Sequence, residues 1–310
     1  MIQIISLNPA MDRTLLVNDF TIGQVNRSFQ YSVLPGGKGL NVARFIKEVF
    51  PEVSMEVIGF AGGETGRYLV DQCKKYNIQE SFVLIREETR VCVIVVDSDH
   101  STVINENGPS IDESELYAFK STVNKASDLV LICGSAPHGV PDDLYAELVK
   151  LYKKNSVKVY IDASGKQLEN AVKEGPELVK INAEEYAQLF HSPSLLSEEE
   201  QILRANNLFA YGIQTVIITN GASGSLVITK DVIVRLIPPK VKAVNTTGCG
   251  DAFFAGLAYG EQQGWDTMES AIYGTAISAV KAENFAPVID YPKKIATYHQ
   301  QVIVENLNEG

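Results

Sequence analysis

Short apolar runs alternate with amphipathic helical stretches along most of this 310-residue chain, and that rhythm restricts the fold more than any other property of the sequence. Strands buried on both faces read as near-continuous apolar runs, and parallel neighbours need a crossover between them. The runs at 2–7, 53–60, 129–133, 157–162, 178–181 and 215–219 predict βαβ units. They imply an α/β fold on a doubly wound, mainly parallel sheet flanked by helices. Val42, Phe45, Ile46 and Val49 keep the spacing of one buried helical face, and Phe253, Phe254, Leu257 and Ala258 form another.

Two segments break the alternation. Residues 11–34 and 81–104 carry β-branched, alternating stretches with polar turns and no intervening helix. They predict strands that leave the main sheet to form a small antiparallel β-sheet, a lid. The run Ser197-Glu-Glu-Glu200 opens a helix at capping-box spacing and reads as a solvated helix start. No internal repeat or Pro/Ser-rich linker divides the chain, so residues 1–310 are expected to form one domain.

Composition excludes several functions. Hydrophobic residues at 45% and charged residues at 21% are ordinary globular usage. The 27 Lys and Arg against 38 Asp and Glu give a net charge of −11, unsuited to a protein that neutralises many phosphates of a nucleic acid. Any anionic ligand must then be met by a few placed cations and backbone N–H groups. Cys73, Cys92, Cys133 and Cys249 are dispersed, as free thiols in a reducing compartment are. The first residues lack the pattern of a cleavable leader, and no apolar run is long enough to span a membrane. A soluble, cytoplasmic chain with neither nucleic acid nor membrane as partner is expected.

The most informative stretch is Asn245-Thr-Thr-Gly-Cys-Gly-Asp251, which runs directly into an apolar helix. Gly248 and Gly250 permit a tight turn, successive N–H groups can converge, and the helix N-terminus adds partial positive charge. This is an anion hole with a carboxylate beside it. Spacing leaves two readings of Asp251 open: a first-turn acid favoured by the dipole, or a base that takes a hydroxyl proton while the N–H groups stabilise a phosphoryl group in transfer. Pro35-Gly-Gly-Lys-Gly-Leu-Asn41 precedes a second helix but is no P-loop, because its Lys is not followed by Ser or Thr. The dinucleotide fingerprint and the nucleophile elbow fail as well, and the four His residues show no metal-ligand spacing.

Gly36-Gly-Lys-Gly-Leu-Asn-Val-Ala43 and Thr247-Gly-Cys-Gly-Asp251 resemble the two signatures of the PfkB (ribokinase-like) family of carbohydrate kinases. Asn8-Pro-Ala-Met-Asp12, Gly62-Gly-Glu-Thr-Gly66, Glu88-Thr-Arg90, Asp162-Ala-Ser-Gly165, Lys180-Ile-Asn-Ala-Glu-Glu185 and Thr219-Asn-Gly-Ala-Ser-Gly224 match the family in the same order. The resemblance covers nearly the whole chain. It is strongest to the branch holding 1-phosphofructokinase and tagatose-6-phosphate kinase, and it implies ATP-dependent phosphorylation of a phosphorylated ketohexose to a ketohexose 1,6-bisphosphate.

By that resemblance Asp251 is the general base, and the backbone of Gly248, Cys249 and Gly250 is the anion hole. Asp12, Gly37, Lys38, Asn41, Arg90 and Ser135 would bind the sugar phosphate. Arg90 suits its phosphate because a guanidinium meets phosphate oxygens in bidentate fashion; Arg27 is a weaker match. Asn182, Thr219, Gly221, Gly224 and Asn284 would bind ATP. Asn182 and Glu185 would place Mg²⁺, mostly through water, and also have capping-box spacing. His138 would touch the sugar or, the favoured reading, cap the next helix, and Cys249 has a reactive-thiol reading as well. A homodimer through the lid is one arrangement the family implies. Two rival functions remain: a kinase of an unphosphorylated sugar or a nucleoside, for which Arg90 and Lys38 would lack a partner, and a non-catalytic sensor of nucleotide or sugar phosphate, which has no need of Asp251.

Overall fold

The computed structural model describes residues 1–98, 100–284 and 291–308. Its strands are β1 (Ile2–Ser6), β2 (Ala10–Leu16), β3 (Gln30–Gly36), β4 (Met55–Gly62), β5 (Gln79–Ile85), β6 (Arg90–Val96) and β7 (Ser101–Asn105) in the first third. There follow β8 (Leu129–Cys133), β9 (Lys158–Asp162), β10 (Leu178–Asn182), β11 (Thr215–Thr219), β12 (Ser225–Ile228), β13 (Ile233–Ile237) and β14 (Ile303–Asn306). Ten form one sheet in the order β14-β13-β12-β11-β10-β9-β8-β1-β4-β5. Its pairs are parallel from β11 through β5 and antiparallel from β11 out to β14.

Strand parity sorts the core into two layers, since alternate side chains point to opposite faces. Leu129, Leu131 and Cys133 of β8 face the helices Lys38–Val49, Cys249–Gln263 and Thr267–Ala282, whereas Val130 and Ile132 face Phe119, Tyr145 and Tyr152. The last two of these helices touch backbone to backbone: a Cβ on Gly256 would lie 2.6 Å from the Gly274 Cα. That contact seats the helix whose first turn carries Asp251.

The four remaining strands form a second sheet, β3-β2-β6-β7. Its outer pairings are antiparallel, while β2 and β6 run parallel, with Ala10 opposite Arg90 and Asp12 opposite Cys92. The expected lid segment 81–104 is corrected at its start. Residues 81–85 belong to β5 at the edge of the main sheet, and the lid strand begins at Arg90. A half-exposed edge strand carries the same mixed pattern as a lid strand, so the two are alike in sequence. The capping boxes expected at Ser197 and Asn182 are both formed.

Candidate active site

Open α/β sheets bind ligands outside the carboxyl ends of their strands, at the point where the strand order reverses. Here β1 sits between β4 and β8, so its end and that of β8 open a crevice. Asn8 and Ser135 flank it, joined by Asn8 Nδ2 donating to Ser135 Oγ at 3.3 Å. The small sheet closes the other side, giving a cleft of about 860 Å³ lined by Asp12, Gly37, Lys38, Asn41, Arg90, Ser135, His138 and Asp251 among others. All the residues expected to bind the sugar phosphate thus meet in one place.

Gly248, in the left-handed region at φ 83°, caps the helix Cys249–Gln263. The Gly250 and Asp251 N–H groups lie in its first turn, where no helix carbonyl precedes them. The Cys249 N–H is engaged by Thr246 O at 3.1 Å. Asp251 is 8% exposed and accepts a hydrogen bond from Asn41 Nδ2 at 2.9 Å. Burial, with Asp162 nearby, pushes its carboxyl up to about 6 against the pull of Lys180 and Lys38. Asp12 is likewise pushed up to about 6 by burial, opposed most by Arg44. Both acids remain largely ionised at neutral pH yet sit close to it. Burial pushes the Cys249 thiol up to about 11, which removes the reading of a reactive thiolate.

Beneath the cleft lies a charge cluster in which Asp162 and Lys180, two residues given no role from the sequence, join Lys38 and Glu185. Asp162 is 1% exposed and accepts from Lys38 Nζ and Lys180 Nζ, both at 2.6 Å. Burial would raise its pKa, but the two ammonium groups outweigh it and hold the carboxyl below the usual range. Lys38 also pairs with Glu185 at 2.9 Å, and its two carboxylate partners raise its pKa despite burial. Lys180 explains Gly250: a Cβ there would approach Lys180 Nζ to 2.8 Å. The sequence signal for the cluster is a pair of charges, Asp162 and Lys180, adjoining the apolar runs of β9 and β10, because a buried charge requires a partner.

Arg90 rests on the cleft wall, its Nη2 donating to Asn8 O at 3.1 Å and its Nη1 to Asn105 at 3.4 Å. Arg27 is exposed on the connection between β2 and β3 and does not line the cleft. The cap of the helix Leu144–Lys154 is Asp143, which corrects the helix-capping reading of His138. His138 instead bridges Ser110 through its backbone and lines the cleft.

Asn182 and Thr219 are register partners at the ends of β10 and β11. Asn182 Oδ1 accepts from Glu185 N at 2.8 Å, and Glu185 Oε2 accepts from Asn182 N at 3.2 Å. The turn after Thr219 folds on itself, Asn220 N donating to Gly224 O at 2.8 Å. Gly224, at φ 93°, has no room for a side chain, since a Cβ would lie 1.9 Å from Leu236 O. Asn284 lies just past Glu283, the C-cap of the helix Thr267–Ala282, its side chain donating to Val280 O at 2.7 Å, and it does not line the cleft. Among the described residues no group of three or more His, Cys, Asp or Glu side chains could cage a metal, and no helix is long and apolar enough to cross a membrane.

A doubly wound sheet with a β-lid over its carboxyl edge, and a buried carboxylate at a glycine-capped helix start, define a class of ATP-dependent phosphotransferases acting on alcohols. The chain belongs to the pfkB family carbohydrate kinases, whose sequence profile matches residues 3–294. It is 33% identical over 262 residues to the 1-phosphofructokinase of Bacillus subtilis, covering 84% of this chain and 85% of that one. It is 32% identical over 265 residues to the tagatose-6-phosphate kinase of Staphylococcus epidermidis, with the same coverage. The tetrameric inhibited form of phosphofructokinase-2 from Escherichia coli superposes with a TM-score of 0.87 at 25% identity, over 96% of this chain and 99% of that one. Ribokinase from Thermotoga maritima shares the fold at a TM-score of 0.75 and 21% identity, over 96% and 99%.

Proposed function

We propose that the protein transfers the γ-phosphoryl group of ATP to the free hydroxyl of a ketohexose monophosphate, giving a ketohexose 1,6-bisphosphate. The observation that carries the reading is a buried carboxylate, Asp251, sharing a cleft with a guanidinium, Arg90, so that an acceptor hydroxyl and a resident phosphate can be held at once. Asp251 takes the hydroxyl proton as the sugar oxygen bonds to phosphorus and the bond to the ADP oxygen breaks. The backbone at Gly248, Cys249 and Gly250 takes up charge on the migrating group, the Cys249 N–H exchanging Thr246 O for it. Asp12 and Asn41 accept and donate to sugar hydroxyls, with Gly37, Lys38 and Ser135 at the rim. Arg90 turns from Asn8 O to the sugar's phosphate.

ATP lies over the ends of β10 and β11, its phosphates along Thr219, Gly221 and Gly224, with Asn284 toward the base. The Asn182 and Glu185 oxygens already hold short protein contacts, which fits a Mg²⁺ that keeps its waters and is shared with the nucleotide. When bound, that ion would neutralise charge on the phosphate oxygens. Large apolar side chains at the lid's rim, including Phe29, Tyr31 and Ile104, support two copies meeting there.

The test is ADP release with MgATP and, in turn, fructose 1-phosphate, fructose 6-phosphate, tagatose 6-phosphate, fructose and a nucleoside. Turnover on a phosphorylated ketohexose is expected; turnover confined to the unphosphorylated acceptors, or absent with all five, overturns the reading.

A further inference from the structure

The helix Lys38–Val49 carries a buried charge that neither the family signatures nor the proposed chemistry uses. Arg44 is 8% exposed, one helical turn beyond Asn41. Its Nη2 donates to Asn41 Oδ1 at 3.2 Å, and the other end of that amide donates to Asp251 Oδ2 at 2.9 Å. Behind the guanidinium, Nη1 meets Glu48 Oε1 at 3.5 Å. Arg44 Nε and Glu48 Oε2 are buried without a hydrogen-bond partner among the described residues. Such an arrangement costs free energy, so packing alone gives no reason for an arginine here.

An asparagine amide has an acceptor end and a donor end, and either can face a neighbour. A guanidinium has only donors and therefore accepts only one orientation of the amide, oxygen toward itself. We infer that Arg44 is a positioning residue: by donating to the Asn41 oxygen it fixes the NH₂ end of that amide on Asp251. Without it, Asn41 is free to turn its oxygen toward Asp251 whenever that acid is protonated. The donor that favours the ionised form is then no longer guaranteed.

Arg44 reaches Asp12 without an ion pair, across a cavity of about 40 Å³ that Asp12, Asn41 and Arg44 help to line. Its field is the largest influence opposing the burial of Asp12, ahead of Arg90 and the thiol of Cys92, while Asp251 acts the other way. Around Asp251 the other charged groups are Asp162 on β9, Lys180 on β10 and Lys38 at the helix start, with the Cys133 and Cys249 thiols and Lys281 farther off. Arg44 itself faces Glu48, Tyr76 and Lys281. Among the described residues Arg44 is the donor on the Asn41 oxygen, so the orientation of the amide when Asp251 is protonated is assigned to it.

This inference rests on Asp251 acting as the base, and its test separates the two. Arg44→Gln and Arg44→Lys are compared with the unaltered enzyme in kcat/KM from pH 5.5 to 9, with folding checked by thermal unfolding. In parallel, ionisation of Asp251 is followed by isotope-edited infrared spectroscopy, using Asp251→Asn to identify its band. Glutamine can present its own oxygen and lacks the charge, so its acid limb is expected to move up by about 0.5–1 pH unit. That lowers kcat/KM about two- to sixfold at pH 6 and less than twofold at pH 8.5. The Asp251 band is expected to titrate higher by the same amount, and lysine, also donor-only, to restore both. An equal loss at every pH with the Asp251 titration unmoved overturns the inference. If no substrate is turned over, the reading of Asp251 as base fails, while the spectroscopic shift still decides what Arg44 does.

Discussion

Asp251 shows at the scale of one residue how the proposed function opposes stability. A carboxyl whose folded pKa lies near 6 against an ordinary 3.8 binds its proton more tightly in the folded chain than in the unfolded one. Its ionisation therefore costs stability as pH rises from about 4 to about 6, and the cost stays constant above that. Asp251→Asn keeps the shape and removes the charge. It is expected to unfold at higher denaturant at pH 7.5, by about 2–3 kcal/mol, with the gain vanishing below pH 4. The same variant is expected to lose about 10²–10⁴ in kcat, with a much smaller change in ATP affinity. Denaturant titration at the two pH values and steady-state kinetics check both halves. A variant no more stable at pH 7.5 than at pH 4, relative to the unaltered chain, would show that Asp251 is not held uphill of its ordinary ionisation.

Among elements, the pairing of β2 with β3 decides where Asp12 stands. Ala10 pairs with Gly36, and the Asp12 carboxyl occupies the space a side chain at 36 would take: a Cβ on Gly36 would lie 2.0 Å from Asp12 Cγ. Gly36→Ala is expected to push that carboxyl into the cleft. The KM for the sugar phosphate should rise about tenfold, the KM for ATP change less than twofold, and stability fall by about 1–3 kcal/mol. Steady-state kinetics with each substrate varied decide it, and an unchanged sugar-phosphate KM would remove Asp12 from the proposed sugar contacts. In the sequence Gly36 is visible only as part of a glycine-rich run, because a close approach between strands leaves no mark on spacing. What is legible there has local causes: apolar runs for strands, Asn182 with Glu185 for a capping box, and paired glycines before Asp251 for an N-terminal turn. What is not legible depends on strands distant in sequence. The register that sets Asp162 between Lys38 and Lys180 comes from three elements meeting, and the placement of residues 81–85 at the main sheet's edge comes from pairing with β4.

Over the whole molecule, the small sheet has one face on the cleft and apolar side chains at its rim that nothing among the described residues covers. Ile22 is 90% exposed, Val25 78%, Tyr31 68% and Phe29 64% on β3 and the connection before it, and Val103 and Ile104 are exposed on β7 at the opposite edge of the same sheet. Monomeric proteins rarely expose contiguous apolar patches larger than a few hundred Å² without a use for them. A C₂ pairing would bury the same patch on both copies. Because Asp12 is on β2 and Arg90 on β6, a contact that holds these strands also holds two walls of the cleft. The proposed lid-to-lid association therefore predicts a linked pair of effects. Phe29→Ser combined with Tyr31→Ser should convert a sedimenting dimer to a monomer and raise the KM for the sugar phosphate, leaving the pH at which kcat falls unchanged, since Asp251 belongs to the main body. Sedimentation velocity over a concentration series, run beside the kinetics, tests the linkage. An unaltered chain that sediments as a monomer at every concentration removes the association, and a dimer whose loss leaves the KM unmoved would show that the lid holds its shape without a partner.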